Sequence, residues 1–305
     1  MKSVLITGSS GFIGRNLLKL LLNNNFDIFS PSSKDYDLTK EDDVERIFKY
    51  KKFDFVIHLA ADVGGIKMIN ENHGRVFYNN VMMNTLLMEK SRVYNIKKFI
   101  CLNTINCYPE NNKILNEDQI WEGFPNTDTF SYGIAKRTLL AQSLAYKDQY
   151  NFDSINLIID NTYGPFDNFN LNDSRVIPAL INKFYNAVQN NIPFVNVWGS
   201  GKSIRQFLYI EDLVEIIKLV LISDISNDTI NISNAQSVSI KNLVDNISSI
   251  FNYNGEINYE SSKPEGAATR LMDNRRMKEI IKFDNFNLIY EGLKKTIDWY
   301  ISTKK

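Results

Sequence analysis

Gly8-Ser9-Ser10-Gly11-Phe12-Ile13-Gly14 follows the short apolar run 3–7 and opens the amphipathic segment 12–22. Glycines spaced three apart, between a strand and a helix, let backbone amides approach a pyrophosphate because no Cβ intervenes. The helix N-terminus adds favourable partial charge. A glycine cluster by itself marks only a tight turn. The strand before it, the helix after it and Asp37-Leu38 downstream make it a dinucleotide-binding fingerprint. The spacing is Gly-x-x-Gly-x-x-Gly, the variant that points to short-chain reductases. It assigns Gly8, Ser10, Gly11, Phe12, Ile13 and Gly14 to the cofactor, with Asp37 and Leu38 beyond them.

After the turn, short apolar runs alternate with helix-period segments, the pattern of parallel strands joined by crossover helices. Strands are expected at 26–30, 53–59, 98–102 and 154–159, and helices at 41–50, 76–94 and 131–150. The run 53–59 is apolar enough to be buried on both faces. Beyond Pro165 the rhythm changes to a loop at 167–173, a helix at 176–189, a strand at 194–198 and a turn at Gly199-Ser200-Gly201. The fold class that follows is α/β: a Rossmann-type doubly wound parallel sheet with a smaller C-terminal α/β substrate-binding lobe. The expected division assigns 1–165 plus about 204–236 to the cofactor domain, and about 166–203 plus 237–305 to a discontinuous substrate lobe.

The 305 residues carry 35 basic and 35 acidic side chains. That balance lacks the basic field of a nucleic-acid or anionic-membrane binder, so an anionic ligand must be held locally. No stretch approaches the roughly 18 uninterrupted apolar residues of a membrane span. The two cysteines, Cys101 and Cys107, are too few for a disulfide framework and point to a reduced, cytoplasmic setting. No metal is called for by these residues.

The end of the second strand decides between NAD and NADP. An Asp or Glu there would hydrogen-bond a free ribose hydroxyl, but Phe29-Ser30-Pro31-Ser32-Ser33-Lys34 offers hydroxyls and a cation instead. Ser32, Ser33 and Lys34 suit a 2′-phosphate, so the expected cofactor is NADP(H).

Tyr132-Gly133-Ile134-Ala135-Lys136 places a phenol and an ammonium four residues apart on one helix face. A free phenol with a pKa of about 10 is a poor acid or base near neutrality, and a neighbouring cation favours its ionised form. Hydride delivered to a carbonyl carbon leaves an alkoxide that must gain a proton, which Tyr132 can supply. Lys136 would also hold the cofactor ribose. Thr104, at the end of the fourth strand, offers a hydroxyl to orient the carbonyl.

These motifs resemble the extended short-chain dehydrogenase/reductases, and within them the GDP-L-fucose synthase group. The narrower match is carried by 59–66, 78–83, 163–169, 176–180 and 197–201, then by Lys263-Pro264-Glu265-Gly266, Asp273 and Arg276. The resemblance implies cofactor contacts at Leu59, Ala60, Ala61 and Asn161. It implies substrate contacts at Asn106, Asn161, Arg175, Val176, Trp198, Arg205 and Arg270, with Arg205 gripping the diphosphate of a GDP-linked 4-keto sugar. It further implies a homodimer through the helices at 76–94 and 131–150, and a place in making deoxy-sugars or heptoses for bacterial surface polysaccharides.

The family's epimerising members remove and return protons beside the ketone with a cysteine and a histidine. An ungapped reading puts Asn106 and Arg175 at those positions. An amide has no useful proton to trade near neutrality, and a guanidinium stays protonated. Cys107 sits one place along an expected extended segment, where adjacent side chains point opposite ways, and Asp173 lies close to the histidine position. His58 reads as a satisfied core residue and His73 as a loop residue. The sequence therefore predicts C4 reduction without C3/C5 epimerisation. The alternatives are a bifunctional GDP-L-fucose synthase, a cofactor-retaining epimerase or dehydratase, and a non-catalytic dinucleotide-binding sensor.

Overall fold

A computed structural model describes residues 1–171, 173–263 and 269–304. The first half builds β1 (Lys2–Thr7), α1 (Phe12–Leu21), β2 (Phe26–Phe29), α2 (Glu41–Tyr50), β3 (Phe55–His58), α3 (Ile66–Glu71), α4 (His73–Val93) and β4 (Lys98–Thr104). Next come a 3-10 turn at Ile105–Cys107, β5 (Ile114–Leu115), a second 3-10 turn at Glu117–Gln119, α5 (Phe130–Tyr150), β6 (Ser154–Ile159) and β7 (Asn161–Tyr163). The remainder is α6 (Val176–Gln189), β8 (Phe194–Trp198), β9 (Ile204–Tyr209), α7 (Ile210–Ile222), β10 (Thr229–Ile232), β11 (Ser237–Ser239), α8 (Ile240–Ile250), β12 (Glu256–Glu260), β13 (Leu271–Met272), α9 (Arg275–Ile280) and α10 (Ile289–Ser302).

Six strands form one parallel sheet in the order β10-β6-β4-β3-β1-β2. Helices cover both of its faces, which is why the central strands read as continuous apolar runs. On one face Leu5, Val56 and Phe99 pack with Val44 of α2, Leu87 of α4 and Leu139 of α5. On the other, Val4, Ile6, Ile57 and Ile100 pack with Leu17 of α1 and Leu213 of α7. The chain leaves β1 for β2 on one side and returns to β3 on the other, so the strand order reverses between β1 and β3. The crevice beyond such a reversal is where open α/β sheets hold ligands.

Local signals explain several boundaries. Glu41, Asp42 and Asp43 fill the first turn of α2 and Lys49 its last, both complementing the helix dipole. Asn151 ends α5 in the left-handed region at φ 52°, one of the few conformations where asparagine rivals glycine. Outside the main sheet, β7, β9 and β11 form a three-stranded sheet, while β8 pairs β12 and β5 pairs β13.

Two expectations need correction. His73 opens α4 rather than lying in a loop, and its ring sits between Ser131 Oγ at 2.9 Å and Asn70 Oδ1 at 3.1 Å. The segment after Thr104 is a 3-10 turn, not extended strand, because the Thr104 side chain accepts the Asn106 N–H. The short α3 was not anticipated; Asp173 Oδ1 accepts the Gly65 N–H at 2.6 Å just before it begins. Among the described residues, no helix is long and apolar enough to cross a membrane.

Candidate active site

The glycine turn is a backbone cradle that side chains cannot enter. Gly8 lies at φ +72°, and a Cβ there would stand 2.6 Å from the Ala60 nitrogen and 2.7 Å from the Leu59 carbonyl carbon. A Cβ on Gly14 would stand 2.3 Å from Gly8 O. The turn closes through Gly11 N–H donating to Gly8 O at 3.1 Å, and Gly11 caps α1 with no side chain on the helix's first amides. Ser10, Phe12 and Ile13 follow the same bend. Leu59, Ala60 and Ala61 run directly from β3 beside it, so the cradle meets the needs of a dinucleotide pyrophosphate.

No acid precedes Asp35 after the end of β2. Ser32, Ser33 and Lys34 form an exposed turn in which Ser32 Oγ accepts the Lys34 N–H at 3.2 Å. The Asp37 carboxylate is spent on Thr39, accepting its N–H at 3.0 Å and its hydroxyl at 2.7 Å, and these bonds hold its pKa below the usual carboxylate value. Leu38 packs into the cluster on the α2 face.

Thr104 ends β4, and Tyr132 and Lys136 lie one turn apart on α5. Gly133 between them is required: a Cβ there would stand 2.3 Å from Asn106 O, so the 3-10 turn rests directly on the helix. Tyr132 is packed by Ile69 of α3 and Val76 of α4. Lys136 is 2% exposed and donates from Nζ to Leu102 O at 2.8 Å. Burial pulls its pKa down to about 8.

The expected partnership of Lys136 with the phenol is not what the geometry shows. Its ammonium lies 5.9 Å from the Tyr132 ring centroid, tied to the β4 carbonyl. Burial pushes the Tyr132 phenol up, and the charge that opposes burial is Arg175.

A buried polar chain joins the cradle to α5. Asn84 Nδ2 donates to Ala135 O at 3.3 Å, and Asn84 Oδ1 stands 2.9 Å from His58 Nε2. An amide oxygen only accepts, so the proton is on Nε2. Nδ1 then accepts the Thr7 hydroxyl at 2.7 Å. Burial, then the Lys136 charge, lowers the His58 pKa to about 3. His58 is the satisfied core residue that its strand position implied.

The ungapped reading set Asn106 and Arg175 at the positions of the epimerising cysteine and histidine. Asn106 is partly exposed on the 3-10 turn. Cys107 is fully buried there, with its thiol pushed up to about 12 by burial. Arg175 caps α6 and pairs with Asp167 at 2.9 Å, with its guanidinium 5.4 Å from the Phe12 ring centroid. Asp173 Oδ1 accepts the Gly65 N–H at 2.6 Å.

The residues assigned to substrate are more dispersed. Val176 begins α6 and is 36% exposed. Trp198 ends β8 at 59% exposure, with the Lys183 and Lys263 ammoniums 5.7 and 5.8 Å from its ring. Arg205 lies on β9 and donates to Ile204 O at 2.8 Å. Asn161 donates to Asp160 Oδ1 at 3.1 Å and Gln206 O at 3.2 Å. Arg270 donates to Ile105 O at 3.2 Å and Tyr108 O at 3.4 Å, so here it clasps the 3-10 turn rather than reaching outward. Pro264, Glu265 and Gly266 lie outside the described residues.

Sequence reasoning missed three groups. Arg137 locks the 3-10 turn by donating to Cys107 O at 2.6 Å and Gly123 O at 2.8 Å. Asp160 is buried, its pKa raised to about 6 by burial, and accepts the Ser233 hydroxyl at 2.8 Å. Asn103, beside Thr104, is buried with neither amide atom bonded. Its only sequence signal was an amide inside an apolar strand. Among the described residues, no group of three side chains could hold a metal ion.

A model of the NAD dependent epimerase/dehydratase family matches residues 4–233. The chain is 30% identical over 306 residues to GDP-L-colitose synthase of Yersinia pseudotuberculosis, covering 99% of this chain and 98% of that one. Among solved structures it resembles an NADP-bound GDP-L-fucose synthetase from Naegleria fowleri, with a TM-score of 0.91 and 26% identity over 99% of this chain and 93% of that one. It also resembles an NADP-bound GDP-mannoheptose C4 reductase from Campylobacter jejuni, with a TM-score of 0.88 and 25% identity over 98% of each chain.

Proposed function

The chain belongs to the NAD dependent epimerase/dehydratase family, and from that premise we propose that it reduces the C4 ketone of a GDP-linked 4-keto hexose or heptose without epimerising C3 or C5. It is an NADP-dependent oxidoreductase, akin to GDP-L-fucose synthases and GDP-heptose reductases. The observation that carries the finer reading is an asymmetry of proton traffic. Tyr132 and Lys136 lie one turn apart on α5 and Thr104 ends β4, while the ungapped reading puts Asn106 and Arg175 at the two positions needed for epimerisation.

In this reading the cradle at 8–14 holds the cofactor pyrophosphate through backbone amides, and Ser32, Ser33 and Lys34 face its 2′-phosphate. When bound, NADPH supplies the hydride. Thr104 and Tyr132 hydrogen-bond the carbonyl oxygen, and Tyr132 gives its proton to that oxygen as it becomes an alkoxide. Lys136, anchored on Leu102 O, would hold the cofactor ribose. Trp198 and Arg205 would take the nucleotide end of the substrate, and Asn106, Arg175 and Val176 would face the sugar. Residues 1–165 with about 204–236 serve the cofactor and the remainder the substrate, in a homodimer formed through α4 and α5.

The test is turnover of GDP-4-keto-6-deoxymannose with NADPH in deuterium oxide. NADPH oxidation with no deuterium at C3 or C5 is the expected result. Deuterium at either carbon would show the bifunctional alternative, and absence of NADPH oxidation would remove this hexose as a substrate.

A further inference from the structure

We propose that Asp160 is a positioning residue for the substrate: it fixes the Asn161 side-chain amide so that its oxygen, not its nitrogen, is offered to a hydroxyl of the sugar. This rests on the reading of the ligand as a GDP-linked sugar and deepens it.

The geometry begins with the carboxylate. Asp160 lies between β6 and β7 and is 4% exposed. Its Oδ2 accepts the Ser233 hydroxyl at 2.8 Å, and Ser233 Oγ in turn accepts the Ala235 N–H at 3.2 Å. Its Oδ1 accepts twice from Asn161, the backbone N–H at 2.7 Å and Nδ2 at 3.1 Å. Three donors on one carboxylate suit its ionised form. Burial raises its pKa to about 6, which still leaves it ionised at about pH 8. The Asp160 backbone is held by its own N–H, which donates to Ile232 O of β10 at 3.1 Å.

Asn161 Nδ2 has a second acceptor, Gln206 O at 3.2 Å. Gln206 is buried, and its Oε1 accepts the Met272 N–H at 2.6 Å. Turning the Asn161 amide over would set its oxygen against two oxygens that have no proton to give, so the chemistry of the neighbours dictates the orientation. Asn161 is partly exposed, and with Nδ2 committed, Oδ1 is the atom it can offer a ligand.

The place of Asn161 in the sheet selects that ligand group. Ile159 of β6 pairs in register with Thr104 of β4, so Asn161 stands two residues beyond the level of Thr104, roughly 7 Å along the chain. Because β4 lies between β6 and β3, Asn161 is on the side of Thr104 away from the glycine cradle. It pairs with Phe207 of β9, two residues past Arg205. An amide oxygen only accepts, and so do the oxygens of an ionised diphosphate, so the two cannot bond. A sugar hydroxyl is a donor, and it belongs on this side of Thr104.

The experiment is calorimetric titration of the NADP⁺-loaded protein at about pH 8 with GDP and with GDP-mannose, alongside a fluorescence titration with NADPH. Asn161→Leu should weaken GDP-mannose binding about tenfold, the worth of one hydrogen bond, with GDP and NADPH affinities unchanged. Asp160→Leu, or the smaller Asp160→Ala where leucine is not accommodated, releases the amide and should lose most of the same affinity. Asp160→Asn still presents an oxygen to the Asn161 amide and should stay within about twofold of the parent. Unchanged GDP affinity in each variant shows that the site is folded, so the loss reports the sugar alone. Equal losses for GDP and GDP-mannose, a loss confined to NADPH, or an Asp160→Asn variant as weak as Asp160→Leu overturns the proposal. Failure of the GDP-sugar reading looks different: the unaltered protein would bind NADPH but neither GDP nor GDP-mannose, and the proposal would fall with it.

Discussion

Replacing His58 with glutamine should flatten the acid limb of the stability profile. In the folded protein burial holds the His58 pKa near 3, against 6.5 for the free side chain. A histidine with a depressed folded pKa binds its proton more readily when unfolded. Its contribution to stability is therefore full above 6.5 and is lost as pH falls toward the folded value. Within that window the loss is roughly 1.4 kcal/mol per pH unit, or about 2 kcal/mol between about pH 7 and pH 5. Glutamine can donate to Asn84 Oδ1 and accept from the Thr7 hydroxyl, so it keeps the buried chain while removing the titration. Urea unfolding of parent and His58→Gln at the two pH values isolates this group, because every other titrating residue is common to both. The parent should lose about 2 kcal/mol more than the variant on acidification. Equal losses would show that His58 is not held neutral by burial, and the reasoning about the chain from Thr7 to Ala135 would fail.

Gly14→Ala should abolish NADPH binding in a fluorescence titration, since its Cβ would meet the Gly8 carbonyl oxygen at 2.3 Å. Gly74→Ala is the control: near the start of α4 nothing lies within 4 Å of the added Cβ, and thermal unfolding should show a gain of up to about 1 kcal/mol. Tyr132→Phe should lower kcat about 10²- to 10⁴-fold while the cofactor Kd holds, and a preserved kcat would remove Tyr132 as the acid. The pair Asn106→Cys/Arg175→His should introduce solvent deuterium at C3 or C5 of the product, detected by mass spectrometry; its absence would show that these positions do not face the carbons beside the ketone.

Features governed by short-range rules were legible in the sequence. Helix limits at 41–50 and 176–189, and strands at 154–159 and 194–198, coincide with the observed elements because apolar period and end residues set them locally. The cradle was legible because only glycine fits its contacts with Ala60 and Gly8. The Tyr132–Lys136 spacing was legible too, but not the environment of the pair. Nothing local to Lys136 says that its ammonium is bonded to Leu102 O, 34 residues away in sequence. The same holds for α3, preceded by an Asp173 bond that spans 108 positions, and for the 3-10 turn, clasped by Arg137 and Arg270. Such pairings appear only once the sheet order has brought distant segments together.

That division has a consequence for how the chemistry of this site can change. Tyr132 and Lys136 are supported from within, by β4, α3 and α4 packed around α5, so altering them disturbs the core. Asn106 and Arg175 are supported from the outside, one by a turn capped by Thr104, the other by a single carboxylate at the head of α6. Exchanging a side chain at either position leaves the backbone bonds of its own segment in place. On the proposed reading, side chains that would take protons from carbon can be exchanged at these two positions without touching the group that would give a proton to oxygen. Reduction then rests on groups packed into the core, whereas epimerisation would need two side chains exchanged at its rim.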